Sequence, residues 1–139
     1  MKIYELQKRI VVALNGVEEL IQGGCKAIVE DSMTVIADVQ KQLQTVKGVT
    51  MVVMTPSLTR NGSATDGIPT EAQLSIQCIE IPELNRRQSS HLTALDAACV
   101  AAYALDSSEI SFSRISQSAN PSTGAITVTA DFNCTFTLT

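Results

Sequence analysis

The last fourteen residues constrain the fold most. Ile126, Val128, Ala130, Phe132, Cys134, Phe136 and Leu138 alternate without a fault against Thr127, Thr129, Asp131, Asn133, Thr135 and Thr137. Side chains of period two point to opposite faces of a pleated sheet, so this run predicts one long strand with an apolar face and a polar one. Asn120-Pro121-Ser122-Thr123-Gly124 is a turn sequence, and Ile110-Ser111-Phe112-Ser113-Arg114-Ile115 before it has strand composition. The C-terminus therefore reads as one antiparallel hairpin over residues 109–139. From Ser107 onward the only charges are Glu109, Arg114 and Asp131, with Ser and Thr supplying most of the polarity.

A second hairpin is expected upstream. Val49-Thr50-Met51-Val52-Val53-Met54 is a short β-branched run closed by Thr55-Pro56, which fits a strand inside the sheet. Residues 55–70 turn to Ser, Thr, Gly and Pro, with Asn61-Gly62 and Asp66-Gly67 as turn dipeptides, and predict an exposed loop. Ala72, Leu74, Ile76 and Cys78 then alternate with polar residues before Ile79 and Ile81 switch phase, which a β-bulge near Cys78 would produce. Pro82 closes this strand.

Three helices complete the reading. Ile3, Leu6, Ile10, Leu14, Val17 and Ile21 recur at helical spacing, with Gly16 a point where the helix can break and Gly23-Gly24 its end. Val35, Ile36, Val39, Leu43 and Val46 predict a second helix, with Asp31 or Ser32 as cap and Gly48 after its end. Ser89 or Ser90 can cap a third, whose stripe is Leu92, Leu95, Cys99 and Ala102 among many alanines. The order is helix, helix, strand, strand, helix, strand, strand. It predicts a single α+β domain over residues 1–139, with two layers: a four-stranded antiparallel sheet with helices on one face.

Composition narrows function by exclusion. Ten Lys and Arg stand against fourteen Asp and Glu, giving a net charge of -4, and the basic doublets are Lys8-Arg9 and Arg86-Arg87. No basic stripe exists to neutralise many phosphates, so direct nucleic-acid binding is not expected. The most apolar window, residues 97–105, is too short to span a membrane. The N-terminal apolar run, residues 10–14, lacks the length of a signal peptide, so the chain is expected to be made and kept in a cytoplasm. Cys25, Cys78, Cys99 and Cys134 form no C-x-x-C pair and read as free thiols, with no metal site and no cofactor.

The same exclusions apply to catalysis. His91 is the only histidine, and Cys99 lies about 12 Å further along the same expected helix, too far for a nucleophile and base pair. Glu18-Glu19 and Glu30-Asp31 read as solvated or capping carboxylates. No phosphate-binding glycine motif and no G-x-S-x-G occur. No catalytic residue is assigned, and the expectation is a protein that is not an enzyme. The final strand has no Lys or Pro to guard it if it lies at a sheet edge, which predicts self-association. Arg60 and Asn61 in the long loop, Arg86 and Arg87 before the third helix, and Thr127, Thr129, Asp131 and Asn133 on the polar face of the last strand are the candidate interface residues.

Gln42-Leu43-Gln44-Thr45-Val46-Lys47-Gly48-Val49-Thr50-Met51-Val52-Val53-Met54-Thr55-Pro56, a helix leading through Gly into a strand that stops at Thr-Pro, resembles the tail-terminator (tail-completion) proteins of long-tailed bacteriophages. The order of elements along the whole chain is similar to theirs as well. The resemblance implies a homohexameric ring that caps the tail tube and joins it to the head or neck. Its partners would be copies of itself, the tail-tube protein and a head–tail connector or neck protein. Its place would be the tail of a virion assembled in the host cytoplasm. Two other classes stand beside it. A non-catalytic binding or accessory module of another assembly predicts an apolar pocket with convergent polar groups. An enzyme using Cys99 or a carboxylate predicts a thiol of depressed pKa or a buried, partnered carboxylate.

Overall fold

A computed structural model describes residues 1–30, 48–63 and 66–139. Its elements are α1 (Ile3–Asn15), α2 (Glu18–Gln22), β1 (Cys25–Val29), β2 (Val49–Val53), β3 (Ser57–Arg60), β4 (Ile68–Glu80), α3 (Pro82–Asn85), α4 (Ala94–Leu105), β5 (Ile110–Ala119) and β6 (Ile126–Leu138). The helix expected through Val35, Ile36, Val39, Leu43 and Val46 lies outside the described residues.

The sheet is six-stranded and mixed, in the order β1-β2-β4-β6-β5, with β3 pairing β4 beyond the end of β2. The four-stranded, all-antiparallel expectation is corrected in two places. Cys25–Val29 forms β1, which pairs in parallel with β2 from Cys25 opposite Val49 to Val29 opposite Val53. Five residues are too few to show an alternation, and the Gly23-Gly24 pair before them signals a stop as readily as a turn. Gly24, at φ +77, turns the chain from α2 into this strand, a left-handed conformation in which glycine carries no Cβ penalty. Ser57–Arg60 forms β3 inside the stretch expected as loop, because β4 offers it a ladder from Gln73 to Thr70. The connection between β3 and β4 is residues 61–67.

The bulge is corrected too. β4 and β6 pair in unbroken register from Ile68 opposite Leu138 to Glu80 opposite Ile126. The phase change after Cys78 instead records a buried carboxylate: Glu80 takes an inward position at 1% exposure, and Ile79 faces the other side of the sheet. There Ile79 forms a small apolar cluster with Val52, Ile28 and Met54. The bulge of this sheet lies in β5, where the register with β6 shifts between Phe112 and Arg114. It lets Phe112 and Ile115, which differ in phase, both face inward.

Helices cover one face. α1 packs on β1 and β2, and α4 packs on β4, β5 and β6. α1 stops at Asn15 with Gly16 as its C-cap, so the chain breaks there into two helices. The buried face of α4 is Ala94, Ala97, Ala98, Ala101, Ala102 and Leu105, while Leu95 is 45% exposed and Cys99 is exposed. The expected stripe of Leu92, Leu95, Cys99 and Ala102 is therefore rotated. Small residues win the buried side because they bring the helix close to a sheet whose own Phe132, Leu74, Ile76 and Val128 already fill the layer. The cap of α4 is Thr93, whose hydroxyl accepts from the Asp96 amide at 3.1 Å, in place of Ser89 or Ser90.

β6 lies between β4 and β5 over residues 126–134, so the expectation that it forms an unguarded edge is corrected. Alternation shows which residues share a face and carries no information about the strand's neighbours.

Candidate interface on the outer sheet face

The odd residues of β6 line the face away from the helices, and those from Thr127 to Asn133 are flanked on both sides by a cross-strand partner. Thr127 sits between Ile79 and Ser118, Thr129 between Gln77 and Ser116, Asp131 between Ser75 and Arg114, and Asn133 between Gln73 and Ser111. Except for Ile79, every one of these side chains is polar, and the only charges are Asp131 and Arg114. The bulge at Ser113 sets the register that brings Arg114 opposite Asp131. The Ser75 hydroxyl donates to Asp131 Oδ1 at 2.6 Å, and the Ser113 hydroxyl donates to the Asp131 carbonyl oxygen at 3.0 Å. Thr55, Ser57, Ser75, Arg114, Asp131 and Asn133 line a polar depression of about 560 Å³ over this row. Such a surface is suited to a wet, hydrogen-bonded protein contact.

The other candidate residues lie at opposite ends of β4. Arg60, opposite Thr70, donates from Nε to the Gly62 carbonyl oxygen at 3.1 Å, and the Asn61 amide donates to the Pro69 carbonyl oxygen at 2.8 Å. Both are exposed. Arg86 and Arg87 follow α3, beyond Glu80 at the other end of β4, about 33 Å away along the strand at roughly 3.3 Å per residue. Arg86 donates to Glu80 Oε1 at 3.0 Å, and Arg87 donates to Glu83 at 3.1 Å on the surface. The eight residues thus form three groups: a hairpin tip, a central row and a basic pair with acidic partners.

The residues around Glu80 form a buried polar cluster that the sequence reading did not single out. Asn85, fully buried, donates to Glu80 Oε2 at 2.6 Å and to the Leu92 carbonyl oxygen at 2.8 Å. Its own side-chain oxygen lies 3.0 Å from His91 Nδ1. The His91 ring lies over Gly24, where a Cβ would come within 2.8 Å of it. The cluster fastens residues 82–92 to the end of the sheet and uses the chain's only histidine for that purpose. The available signal was one carboxylate, Glu80, at an inward position between Cys78 and Pro82.

Three of the four thiols, Cys25, Cys78 and Cys134, are held protonated. Burial, reinforced by the nearby Glu80 carboxylate, pushes Cys25 up to about 11, burial alone pushes Cys134 up to about 11, and Cys78 is raised by burial and the neighbouring Cys25 and Cys99. A thiol kept protonated is a poor nucleophile. Among the described residues, no three His, Cys, Asp or Glu side chains gather where they could hold a metal ion, and no helix is long and apolar enough to cross a membrane. An apolar recess between α1, α4 and β6, lined by Leu6, Ile10, Leu105, Ile110 and Phe136, has a volume of about 170 Å³. That is below the roughly 300 Å³ at which small-molecule pockets begin.

No protein-family model matches the chain, and no curated protein matches it in sequence. In fold it is similar to a chain of the solved structure described as "Virion of native gene transfer agent (GTA) particle", with a TM-score of 0.63 and 14% identity over 96% of each chain.

Proposed function

We propose that this chain is a structural, non-catalytic protein of a phage-like virion, and within it the tail terminator. Copies form a homohexameric ring that caps the tail tube and joins it to the head or neck. The observation that carries this reading is the end-to-end likeness in fold to a chain of a gene transfer agent virion, which leaves almost none of either chain unmatched. Three features of the chain support it. The outer face along β6 from Thr127 to Asn133 is a polar row whose only charges are Asp131 and Arg114. The buried Glu80, a partnered carboxylate of the kind the enzyme alternative calls for, has its two oxygens taken by Asn85 and Arg86 in a cluster that anchors residues 82–92, and three of the four thiols are held protonated. The candidate contact residues are spread over the length of β4, as suits a subunit that meets several neighbours. In the ring, the row from Thr127 to Asn133 faces the layer above or below. Arg60 and Asn61 reach a neighbouring copy, while Arg86 and Arg87 contact acidic groups on the next layer.

Light scattering over a concentration series, with electron microscopy of the same fractions, tests this. A ring of six has a mass of about 90 kDa against 14.9 kDa for one chain. Rings of that mass are the expected result. A chain that stays at 14.9 kDa at every concentration overturns the ring.

A further inference from the structure

The two outer strands of the sheet are treated differently. At the β1 edge, Ala27 has both backbone groups taken by a side chain: its amide donates to Asn15 Oδ1 at 2.9 Å, and its carbonyl oxygen accepts from Asn15 Nδ2 at 3.0 Å. That amide, at the end of α1, occupies the position a further strand would need. At the other edge, β5 has such a cover at its first residue, where the Ile110 amide donates to Ser107 Oγ at 3.1 Å and its carbonyl oxygen accepts from the Ser107 amide at 2.9 Å, and residues 115–119 have none among the described residues. Arg114 is the only charge of β5, which contains neither Lys nor Pro, the usual guards of an exposed edge. Its bulge at Ser113 disturbs the ladder in the first half and leaves residues 115–119 regular. On the β1 side of the sheet, β3 continues beyond the point where β1 ends. All four of its residues are exposed, and its far side has no partner strand among the described residues.

We propose that copies of this chain join through β5 of one copy and β3 of the next, as an antiparallel pair that carries one sheet across the subunit boundary. The proposal rests on the ring reading and deepens it. Strand direction supports it. β3 runs against β4, β4 against β6 and β6 against β5, so β3 and β5 run in opposite directions. A rotation that places copies side by side around a ring keeps β5 antiparallel to the next β3 with no subunit turned over; residues 115–119, level with residues 76–80 of β4, meet β3, level with residues 70–73, when the strands are inclined so that neighbours are offset by about six residues along them. The contact is heterologous, as a closed ring requires. Residues 115–119 are long enough for the four residues of β3. Their side chains match by face as well. Ser116 and Ser118 lie on the outer face with Ser57 and Thr59. Ile115, Gln117 and Ala119 lie on the inner face with Leu58, which is 43% exposed in the single chain, and Arg60. Asn15 explains why β3 takes this role and β1 does not.

Amide hydrogen exchange on the full chain, comparing ring and monomer fractions, tests the joint. Peptides covering residues 57–60 and 115–119 should exchange at least tenfold more slowly in the ring, with those covering residues 25–29 unchanged. Rings whose β3 and β5 amides exchange at the monomer rate overturn the joint and leave the ring reading standing. A chain that never leaves 14.9 kDa overturns both. Two surface variants, Leu58→Lys and Ser118→Lys, give a second readout. Each should run as a monomer with an unchanged circular dichroism spectrum, and full-size rings from both would overturn the joint.

Discussion

Asn85 donates its side-chain amide to the Glu80 carboxylate at 2.6 Å, and both residues are almost wholly shielded from water. Removing the donor leaves a buried carboxylate one bond short, while the half-exposed Arg86 still holds its other oxygen. Asn85→Ala should therefore lower unfolding free energy by about 2 kcal/mol, the range for a stranded buried polar group. Arg86→Ala should cost about 1 kcal/mol, because water can replace an exposed guanidinium. Urea unfolding checks this as a shift in midpoint at constant slope. Equal costs for the two would contradict the assignment of Asn85 as the buried anchor.

The rotated face of α4 gives a second test. Ala98→Leu and Ala101→Leu force bulk into a filled layer and should each destabilise by about 1–3 kcal/mol. Leu95→Ala and Tyr103→Ser lie on the exposed side and should stay within about 0.5 kcal/mol of the parent. A helix packed on the Leu92, Leu95, Cys99 stripe would give the reverse order in thermal unfolding.

Thiol ionisation predicts a loss of stability in alkali. Unfolded thiols ionise near 9.0, whereas folded Cys25 and Cys134 keep their protons up to about 11. The unfolded chain loses protons first, so the stabilisation is fully present below pH 9 and declines as pH rises from 9 through 11. Cys25→Ala/Cys134→Ala, compared with the parent by denaturant melts from pH 8 to 11, should show a shallower decline. Alkylation of the native chain at pH 8 should label Cys99 first, since it is the exposed thiol.

Gly67 and Gly124 both hold positive φ, at 117° and 74°, but differ in surroundings. A Cβ on Gly67 would meet the Thr137 methyl at 2.5 Å and the Leu138 carbonyl oxygen at 2.9 Å, whereas one on Gly124 meets nothing. Gly124→Ala should cost about 1 kcal/mol from the backbone alone. Gly67→Ala should cost about 2–3 kcal/mol through added strain. Exchange at residues 68–70 and 136–138 should quicken in the Gly67 variant alone.

Where a residue pattern was long and local, the reading of the sequence and the structure coincide. The alternation of residues 126–138 is β6, the turn at residues 120–124 joins it to β5, and Gly16 divides the first helix from the second. Where the pattern is short, periodicity carries no signal for the strand. β1 is five residues after two glycines, and β3 is four residues of turn-like composition, so neither spans enough of a period to be seen. The candidate residues fared in the same way. Thr127, Thr129, Asp131 and Asn133 share a face as their spacing requires, but Glu80, Asn85 and His91 come together only because α3 folds back over the end of β4.

Periodicity in this chain determined which residues of β6 face inward, the α+β composition of its elements and the long C-terminal hairpin, because those depend on side chains a few positions apart. Tertiary structure alone decided that β1 runs parallel to β2, that β6 is internal, that Asn15 closes one edge and that residues 115–119 of β5 have no strand beyond them among the described residues. A strand's own sequence sets its faces through the geometry of the pleat. Its neighbours are chosen by backbone groups that every residue carries alike, so that choice is made only when segments distant in the chain compete for the same core.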